Sequence, residues 1–174
     1  QYNISEIHNN ESLMKEHCKV GFQIVKKLPL DKNIPKYILY HHENWNDNKI
    51  FGIKRRDIPL PSQIIHVADY MDILYLRKMG HKDYKIDVED IKYWLKNMKG
   101  KAFSPDVVDA LFSAMNREKF WFDLKPNNLK QVLDIIEPGK NTYIDIDGLK
   151  SISEAFSALI DQKSKFTFEH SQGV

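Results

Sequence analysis

Residues 58–72 read IPLPSQIIHVADYMD and carry a clear helix signal. Proline suits the first turn of a helix, and Pro61 stands directly before a run with helical spacing. Apolar residues recur in that run at steps of three and four, the period of one helix face: Ile64, Ile65, Ala68, Met71 and Tyr75. The spacing therefore predicts a helix from Pro61 to near Gly80, with Asp69 beside its apolar face.

Two helices are predicted upstream of this stretch. Residues 11–28 carry apolar residues and one histidine on a single predicted inward face: Leu13, His17, Val20, Ile24 and Leu28. Asn33 is placed to cap a second helix, with Pro35 in its first turn. That helix leads into His41 and His42, which extend its apolar face.

Helical signals continue downstream. Start signals predict helices over residues 88–98 and 107–122, the second introduced by a serine-proline-aspartate triplet at 104–106. Residues 125–146 are interpreted as a linker with one short helix, and Asp147 starts a last helix. No segment alternates apolar and polar residues with a period of two, so the sequence predicts an all-α fold.

The composition is that of an ordinary globular chain. Its 174 residues include 26 basic and 24 acidic side chains, and the net charge of +2 gives no basis for a DNA-binding platform. A single cysteine, Cys18, cannot form an internal disulfide, which favours a reducing, cytoplasmic location. No apolar run reaches the length of about 20 residues that a membrane-spanning helix needs, so no membrane segment is predicted.

Four polar residues interrupt the predicted apolar faces: His17, His41, His42 and Asp69. A buried carboxylate without compensation is costly, so a partner for Asp69 is expected. Three imidazoles and one carboxylate on neighbouring helices would suit a metal ion of the iron, manganese or zinc kind. The alternative is that each histidine is a hydrogen-bonded core residue, and spacing alone leaves both interpretations open.

The other polar signals are weaker. Three further histidines are interpreted as surface or loop residues without a role: His8, His66 and His81. Cys18 adjoins His17, but neighbours on a helix do not face each other, so a cysteine–histidine nucleophile pair is not expected. Residues 145–148 (DIDG) resemble the opening of a calcium loop but lack its later ligands, and they are interpreted as a helix cap.

Several of these segments resemble one known family in order and spacing. Residues 14–21 (MKEHCKVG) are similar to the K-x-H-P-x-x-G helix of HD-GYP phosphodiesterases, which hydrolyse cyclic di-GMP in bacteria. Residues 41–45 (HHENW) resemble the family's H-H-E-x-W-D-G, and residues 57–72 resemble I-P-L-x-x-R-I-x-x-V-A-D-x-Y-D. Residues 103–108 (FSPDVV) resemble F-D-P-x-V-V, so the likeness spans roughly residues 11–124.

The resemblance implies a fold, a metal centre and a function. The fold is a helical bundle of the HD superfamily, of which this chain holds a part. His17, His41, His42 and Asp69 would be ligands in a centre of two or three iron or manganese ions. Four residues would bind the nucleotide: Trp45, Arg77, Lys78 and Lys82. The chain would then form part of a metal-dependent phosphodiesterase or phosphohydrolase that acts on cyclic di-GMP or a related nucleotide in bacterial signalling.

The chain also departs from the family pattern. Lys49-Ile50-Phe51 replaces the Gly-Tyr-Pro signature, and Gln63 stands where the family has arginine. The family's His-Asp pair and the lysine after it would precede residue 1, so no catalytic residue is identified in this chain. These departures keep a second hypothesis open, in which the chain is a non-catalytic HD-type domain that binds a nucleotide or a protein partner, or that mediates dimerisation.

The C-terminal stretch predicts a second domain. Residues 152–174 resemble the first helix of another HD-GYP domain, and His170 matches a histidine that is a metal ligand there. The predicted division is the back half of one domain at residues 1–124, a linker at 125–146, and the first helix of a following domain at 147–174. The expected partners are the rest of a longer parent chain, a cyclic dinucleotide and, if the last helix is swapped, a second copy of the chain in a homodimer.

Overall fold

The structure, a computed structural model, describes residues 10–46, 50–79, 88–137 and 143–171, with side chains at all of these except 75–79 and 161–171. The helices in these ranges are α1 (Glu11–Val25), α2 (Ile34–Leu39), α3 (Leu60–Met79), α4 (Val88–Met98), α5 (Pro105–Met115), α6 (Glu118–Asp123), α7 (Pro126–Ile136) and α8 (Ile146–Ser171). A 3₁₀ turn at Arg55–Asp57 precedes α3. Because the described residues form helices and no β-strand, the prediction of an all-α fold is confirmed.

The main hydrophobic core lies between α3, α4 and α5. Its buried members come from these helices and from the turn between α4 and α5: Val67, Met71, Ile91, Leu95, Ala102, Phe103, Val107, Val108 and Met115. The rings of Tyr70 and Trp94 stack with their centroids 5.5 Å apart, and Phe103 meets both rings at a steep angle. This packing holds α3, the helix that carries Asp69.

Helices α1 and α2 form a pair beside that core. Asn10 caps α1, because its side-chain oxygen accepts two backbone N–H groups of the first turn at 3.0 and 3.2 Å. Gly21 of α1 faces Ile38 of α2 so closely that a Cβ at residue 21 would lie 2.8 Å from Ile38 Cγ2. The absence of a side chain at residue 21 therefore lets the two helices approach, which brings His17 toward the end of α2.

Helix α2 is also tied to the start of α3. Ser62 is fully buried, and its Oγ donates a hydrogen bond to the Tyr37 carbonyl at 2.8 Å. Gln63, which replaces the arginine of the resembled family, donates from Nε2 to the Ile58 carbonyl at 2.7 Å. These two bonds hold the first turn of α3, so three helices meet where the predicted metal ligands lie.

The segment predicted as one helix over residues 107–122 is two helices. Helix α5 ends at Met115 and α6 begins at Glu118. Arg117 separates them, because its extended backbone (φ −98°, ψ 127°) cannot continue a helix. The prediction of a continuous helix was wrong at this point because Asn116 and Arg117 carry no proline or glycine to mark the break.

The inward face of α3 is rotated from the predicted one. Ile64 is 51% exposed and Ala68 is also exposed, although both were assigned to the apolar face. The buried side chains of this helix include Ser62, His66 and Val67. Two polar residues thus lie on the true inward face, which a search for apolar periodicity does not recognise.

The predicted cap at residues 145–148 is confirmed. Asp145 Oδ1 accepts the Gly148 N–H at 2.8 Å, and α8 begins at Ile146 rather than at the predicted Asp147. Helix α8 packs beside α1 and buries Ala155.

Many apolar side chains of α7 and α8 are nevertheless exposed: Leu129, Leu133, Ile135, Ile136, Ile146, Leu149, Phe156, Leu159 and Ile160. Among the described helices, none combines the length and the apolar character that a bilayer crossing requires.

Candidate metal centre

Three histidines from two places in the chain form a cluster. His17 lies on α1, whereas His41 and His42 lie in the turn that follows α2. Each offers one ligand atom, and these three atoms lie within 4.8 Å of one another. The ring centroids of His41 and His42 are 4.0 Å apart, and that of His17 is 5.2 Å from the first and 5.7 Å from the second. The structure thus brings together three of the four predicted ligands in the first domain.

The orientation of His41 is fixed by the backbone of α2. Its Nδ1 lies 2.6 Å from the carbonyl oxygen of Ile38. Because a carbonyl can only accept, Nδ1 carries the proton and donates it to this bond. The lone pair is therefore on Nε2, which is the nitrogen left to bind a cation. Support of this kind, from the other ring nitrogen to a backbone carbonyl, is common for histidines that bind metals.

The fourth predicted ligand, Asp69, reaches the cluster from α3. Its Oδ2 lies 3.6 Å from Nε2 of His42, and its side chain is 35% exposed against 1% for His42. Two atoms that bind one ion through bonds of about 2.0–2.2 Å lie about 3–4 Å apart. His42 and Asp69 are therefore spaced so that they could share an ion.

The donor set fits the metals that the resemblance implies. Three neutral imidazoles and one carboxylate suit divalent iron, manganese or zinc better than calcium or magnesium, which prefer all-oxygen sites. A spread of 4.8 Å among the histidine atoms allows one ion or two neighbouring ions, because paired ions lie about 3.5–4 Å apart. A cation would also offset the negative charge of Asp69 beside a buried imidazole.

The cluster is buried on one side and open on the other. His41 and His42 are 6% and 1% exposed, whereas His17 is exposed. The prediction that His17 lies on the inward face of α1 was therefore wrong. The buried residues of α1 are Met14 and Cys18, and His17 lies on the flank of that line. This position gives solvent, and hence a ligand, access to the cluster.

His66 corrects another prediction. It is 3% exposed, so it is a core residue and not a surface residue without a role. Its ring lies 5.5 Å from His42, 5.4 Å from Tyr70 and 5.0 Å from Phe103, measured between centroids. His66 therefore lies between His42 of the cluster and the aromatic core. The signal was present in the sequence, because His66 is four residues from both Ser62 and Tyr70 on one helix face.

Cys18 is a buried, neutral thiol next to His41 of the cluster. Its Sγ is 3.7 Å from Nδ1 of His41. Burial raises the pKa of the Cys18 thiol to about 12, and the negative charges of Glu43 and Asp69 act in the same direction. The thiol therefore stays protonated at neutral pH, and a protonated thiol is neither a nucleophile nor a good metal ligand.

Glu43 is a buried residue to which the sequence analysis gave no role. It directly follows His42 and is 2% exposed. Its two carboxylate oxygens accept the backbone N–H groups of Ile50 at 3.1 Å and Phe51 at 2.7 Å. The feature of the sequence that could have identified Glu43 is its position inside the HHENW stretch at residues 41–45.

Trp45 is the predicted nucleotide-binding residue whose side chain lies in the described part of the chain. Trp45 follows the histidine turn, where its N–H donates to the Ala102 carbonyl at 3.0 Å and its carbonyl accepts Nε of Arg55 at 2.7 Å. Arg77 and Lys78 lie in the last turns of α3, and His170 lies in α8, but their side chains are outside the described residues. Several other residues that the sequence analysis names also lie outside the described residues: His8, Lys49, Gly80, His81 and Lys82.

Comparison with known proteins identifies the family. A family profile described as "HD domain" matches residues 6–106, which is more than half of the chain. The chain belongs to the HD domain family. The resemblance drawn from residues 11–124 is therefore confirmed at the level of this family. In this HD domain, the histidine turn and the start of α3 lie inside the matched residues.

Known relatives of this HD domain are phosphodiesterases of cyclic dinucleotides. The "3'3'-cGAMP-specific phosphodiesterase 1" of Vibrio cholerae is 25% identical over 167 residues, which cover 92% of this chain and 38% of that protein. The "Cyclic di-GMP phosphodiesterase" of Thermotoga maritima is 33% identical over 101 residues, which cover 56% of this chain and 27% of that protein.

A solved structure shares the fold. The crystal structure of a cyclic GMP-AMP specific phosphodiesterase of V. cholerae matches with a TM-score of 0.75 and 24% identity, over 96% of this chain and 40% of the other. The chain spans 38% of the length of one of these curated relatives and 27% of the other.

Proposed function

We propose that this HD domain supplies part of the metal centre of a phosphodiesterase that hydrolyses a cyclic dinucleotide. The observation that supports this most directly is the cluster of His17, His41 and His42, with Asp69 beside it. Relatives named as phosphodiesterases of 3'3'-cGAMP and cyclic di-GMP support the substrate class.

The side chains at this site would have different roles in such a centre. Divalent ions held here would polarise a phosphodiester oxygen and make a bound water more acidic. Buried His41 and His42 give the centre a rigid base, since His41 is fixed by the Ile38 carbonyl. Asp69 adds a negative charge that favours a cation. His17, on the exposed side, leaves an approach for the substrate.

Iron or manganese is the proposed metal, as two or three ions in a complete domain. The support is the mixture of imidazole and carboxylate donors, which suits these metals and also zinc. Trp45, Arg77, Lys78 and Lys82 are proposed to contact the nucleotide on the basis of the family resemblance.

The proposed whole protein carries a second HD-type domain. Residues 1–124 and 125–146 would be the first domain and the linker, and residues 147–174 would begin the second domain, with His170 as a ligand of its own centre. The exposed apolar side chains of α8, such as Leu149 and Phe156, are consistent with a helix that packs against further protein. A homodimer and a cytoplasmic location stay predictions from the sequence.

A non-catalytic HD domain is the second candidate. The observation that favours it is Gln63, whose amide is bonded to the Ile58 carbonyl at 2.7 Å where the resembled family has arginine. An amide held by the backbone supplies no positive charge to a phosphate. Such a domain would bind a nucleotide or a protein partner and have no hydrolytic activity.

The test compares His42→Ala with His66→Phe. Both substitutions remove a buried imidazole from neighbouring positions, but only His42 belongs to the ligand cluster. Mn²⁺ binding to this chain is measured by titration, and hydrolysis of cyclic di-GMP and 3'3'-cGAMP is measured in the parent protein with the same substitutions. We expect His42→Ala to abolish tight Mn²⁺ binding and hydrolysis, and His66→Phe to retain both.

The outcomes separate the two candidates. Metal binding without hydrolysis in the unsubstituted parent protein supports the non-catalytic domain. Equal Mn²⁺ binding by His42→Ala and the unsubstituted chain contradicts the metal centre itself, because one of its proposed ligands would then be dispensable.

A further inference from the structure

We propose that Glu43 is a positioning residue of the metal centre, whose carboxylate clamps the histidine turn to the loop at residues 50–52. The inference rests on the proposed function, because it concerns metal binding at the histidine cluster. Glu43 would act through the backbone and not as a ligand.

The carboxylate is fully engaged by backbone donors of that loop. Oε1 accepts the Ile50 N–H at 3.1 Å and Oε2 accepts the Phe51 N–H at 2.7 Å, while the side chain is 2% exposed. Hydrogen bonds to an ionised carboxylate are stronger than neutral ones, and a buried carboxylate needs them.

The loop connects Glu43 to α1, which carries His17. The Phe51 ring lies 5.8 Å from the Tyr40 ring, and the Lys15 ammonium lies 5.6 Å from the centre of the Phe51 ring. Gly52, directly after Phe51, has φ +76°, a conformation that favours glycine and changes the direction of the chain at this residue. Glu43 therefore links the turn of His41 and His42 to the helix of the third histidine.

The histidine turn is also held by backbone hydrogen bonds to the segment between α4 and α5. Trp45 N–H donates to the Ala102 carbonyl at 3.0 Å, and Asn46 N–H donates to the Lys101 carbonyl at 2.7 Å. Residues 41–46 are thus held by these two bonds and by the two bonds of Glu43. Loss of the Glu43 bonds would leave the imidazoles in place but less well oriented.

The experiment measures Mn²⁺ affinity of the whole chain with Glu43→Gln. Glutamine has the same size, but its NH₂ group faces a backbone N–H, so one of the two bonds is lost. Changes to residues that orient metal ligands typically cost about 10–100-fold in affinity, and we expect that loss here. Bound Co²⁺ is expected to show an altered visible spectrum as well, since that spectrum reports ligand geometry.

Glu16→Gln is the matched control. Glu16 precedes His17 on α1 and is exposed, so this variant removes the same charge near the cluster without touching the loop. We expect its Mn²⁺ affinity to stay within about threefold of the unsubstituted chain, because exposed charges are well screened. Glu43→Asp keeps the charge but shortens the side chain, and we expect it to weaken binding too.

Several results would overturn the proposal. Native Mn²⁺ affinity in Glu43→Gln would show that the clamp is dispensable, and native affinity in Glu43→Asp alone would show that only the charge matters. If circular dichroism shows that both variants lose their helical content, Glu43 is required for folding and the assignment is wrong. A chain without substitutions that binds no Mn²⁺ contradicts the proposed function, and the role of Glu43 falls with it.

Discussion

The His41 imidazole depends on a backbone carbonyl for the nitrogen that it can offer to a cation. His41 presents Nε2 only while Nδ1 donates to the Ile38 carbonyl. That carbonyl belongs to the last turn of α2, where backbone carbonyls lack partners inside the helix. The end of a short helix therefore supplies the acceptor that sets the protonation of the proposed ligand.

The Cys18 thiol allows a prediction about stability and pH. Its pKa is raised to about 12 in the folded chain, mainly by burial, against about 8.5 when unfolded. As pH rises between these values, the unfolded chain loses the proton first and binds fewer protons than the folded chain, so the free energy of unfolding falls. We expect a larger fall between about pH 8 and about pH 11 in the unsubstituted chain than in Cys18→Ala.

Urea unfolding at the two pH values measures this difference, because both chains share every other group that titrates. Tyr70, whose pKa is also raised by burial, contributes equally to both and cancels. Identical pH dependence in the two chains, together with rapid alkylation of Cys18 in the folded state, would contradict a buried neutral thiol.

The residues of the site were predictable to different degrees. His41, His42 and Asp69 interrupt apolar faces, and the family resemblance connected them with His17. The structure brings the three histidines together and places Asp69 beside His42, although His17 is exposed rather than inward. Glu43 is held by backbone groups seven and eight residues further along the chain, a contact that leaves no periodic signal. His66 has a helical-period neighbour in Tyr70, but its contact with Phe103 comes from a distant part of the chain.

At the level of elements, the approach of α1 to α2 places His17 near the other two histidines. The contact that permits it is Gly21 against Ile38. Alanine is a better helix former than glycine by about 1 kcal/mol, but overpacking costs about 1–3 kcal/mol. Ile38 is β-branched and its Cγ2 cannot rotate away freely. The cost of the steric overlap is therefore expected to exceed the gain in helix propensity.

Gly21→Ala is therefore expected to lower the free energy of unfolding by about 1 kcal/mol and to weaken Mn²⁺ binding, since α1 must shift. Chemical unfolding and Mn²⁺ titration measure the two effects. The control is Gln23→Ala, at an exposed position of the same helix. It should neither lower the free energy of unfolding nor weaken Mn²⁺ binding. Adding Ile38→Ala should restore Mn²⁺ affinity to Gly21→Ala, and failure to do so would count against a steric cause.

The elements themselves were predictable where apolar spacing ran long. Helices α3 and α4 lie close to their expected bounds, because proline, cap residues and the helical period agree there. The break between α5 and α6 at Arg117 and the rotation of the inward face of α3 were not predictable from local signals. At the break, Trp121 Nε1 donates to the Met115 carbonyl at 2.8 Å, and on α3 the inward-facing His66 packs on Phe103, which is distant in sequence.

At the scale of the whole molecule, the chain has a well-packed side and an open side. The core of α3, α4 and α5 and the α1–α2 pair meet at the histidine cluster. Helices α7 and α8 expose large apolar residues such as Ile135, which is 75% exposed. This arrangement concentrates the packing at the proposed metal centre, while large apolar side chains of α7 and α8 stay exposed.

The most direct test of the account is the metal content of the chain, purified without chelators or a polyhistidine tag. Elemental analysis is made as purified and after incubation with Fe²⁺ or Mn²⁺ followed by gel filtration. We expect one or more iron or manganese ions per chain. A well-folded helical chain that retains no metal under either condition would contradict the proposed centre of His17, His41, His42 and Asp69.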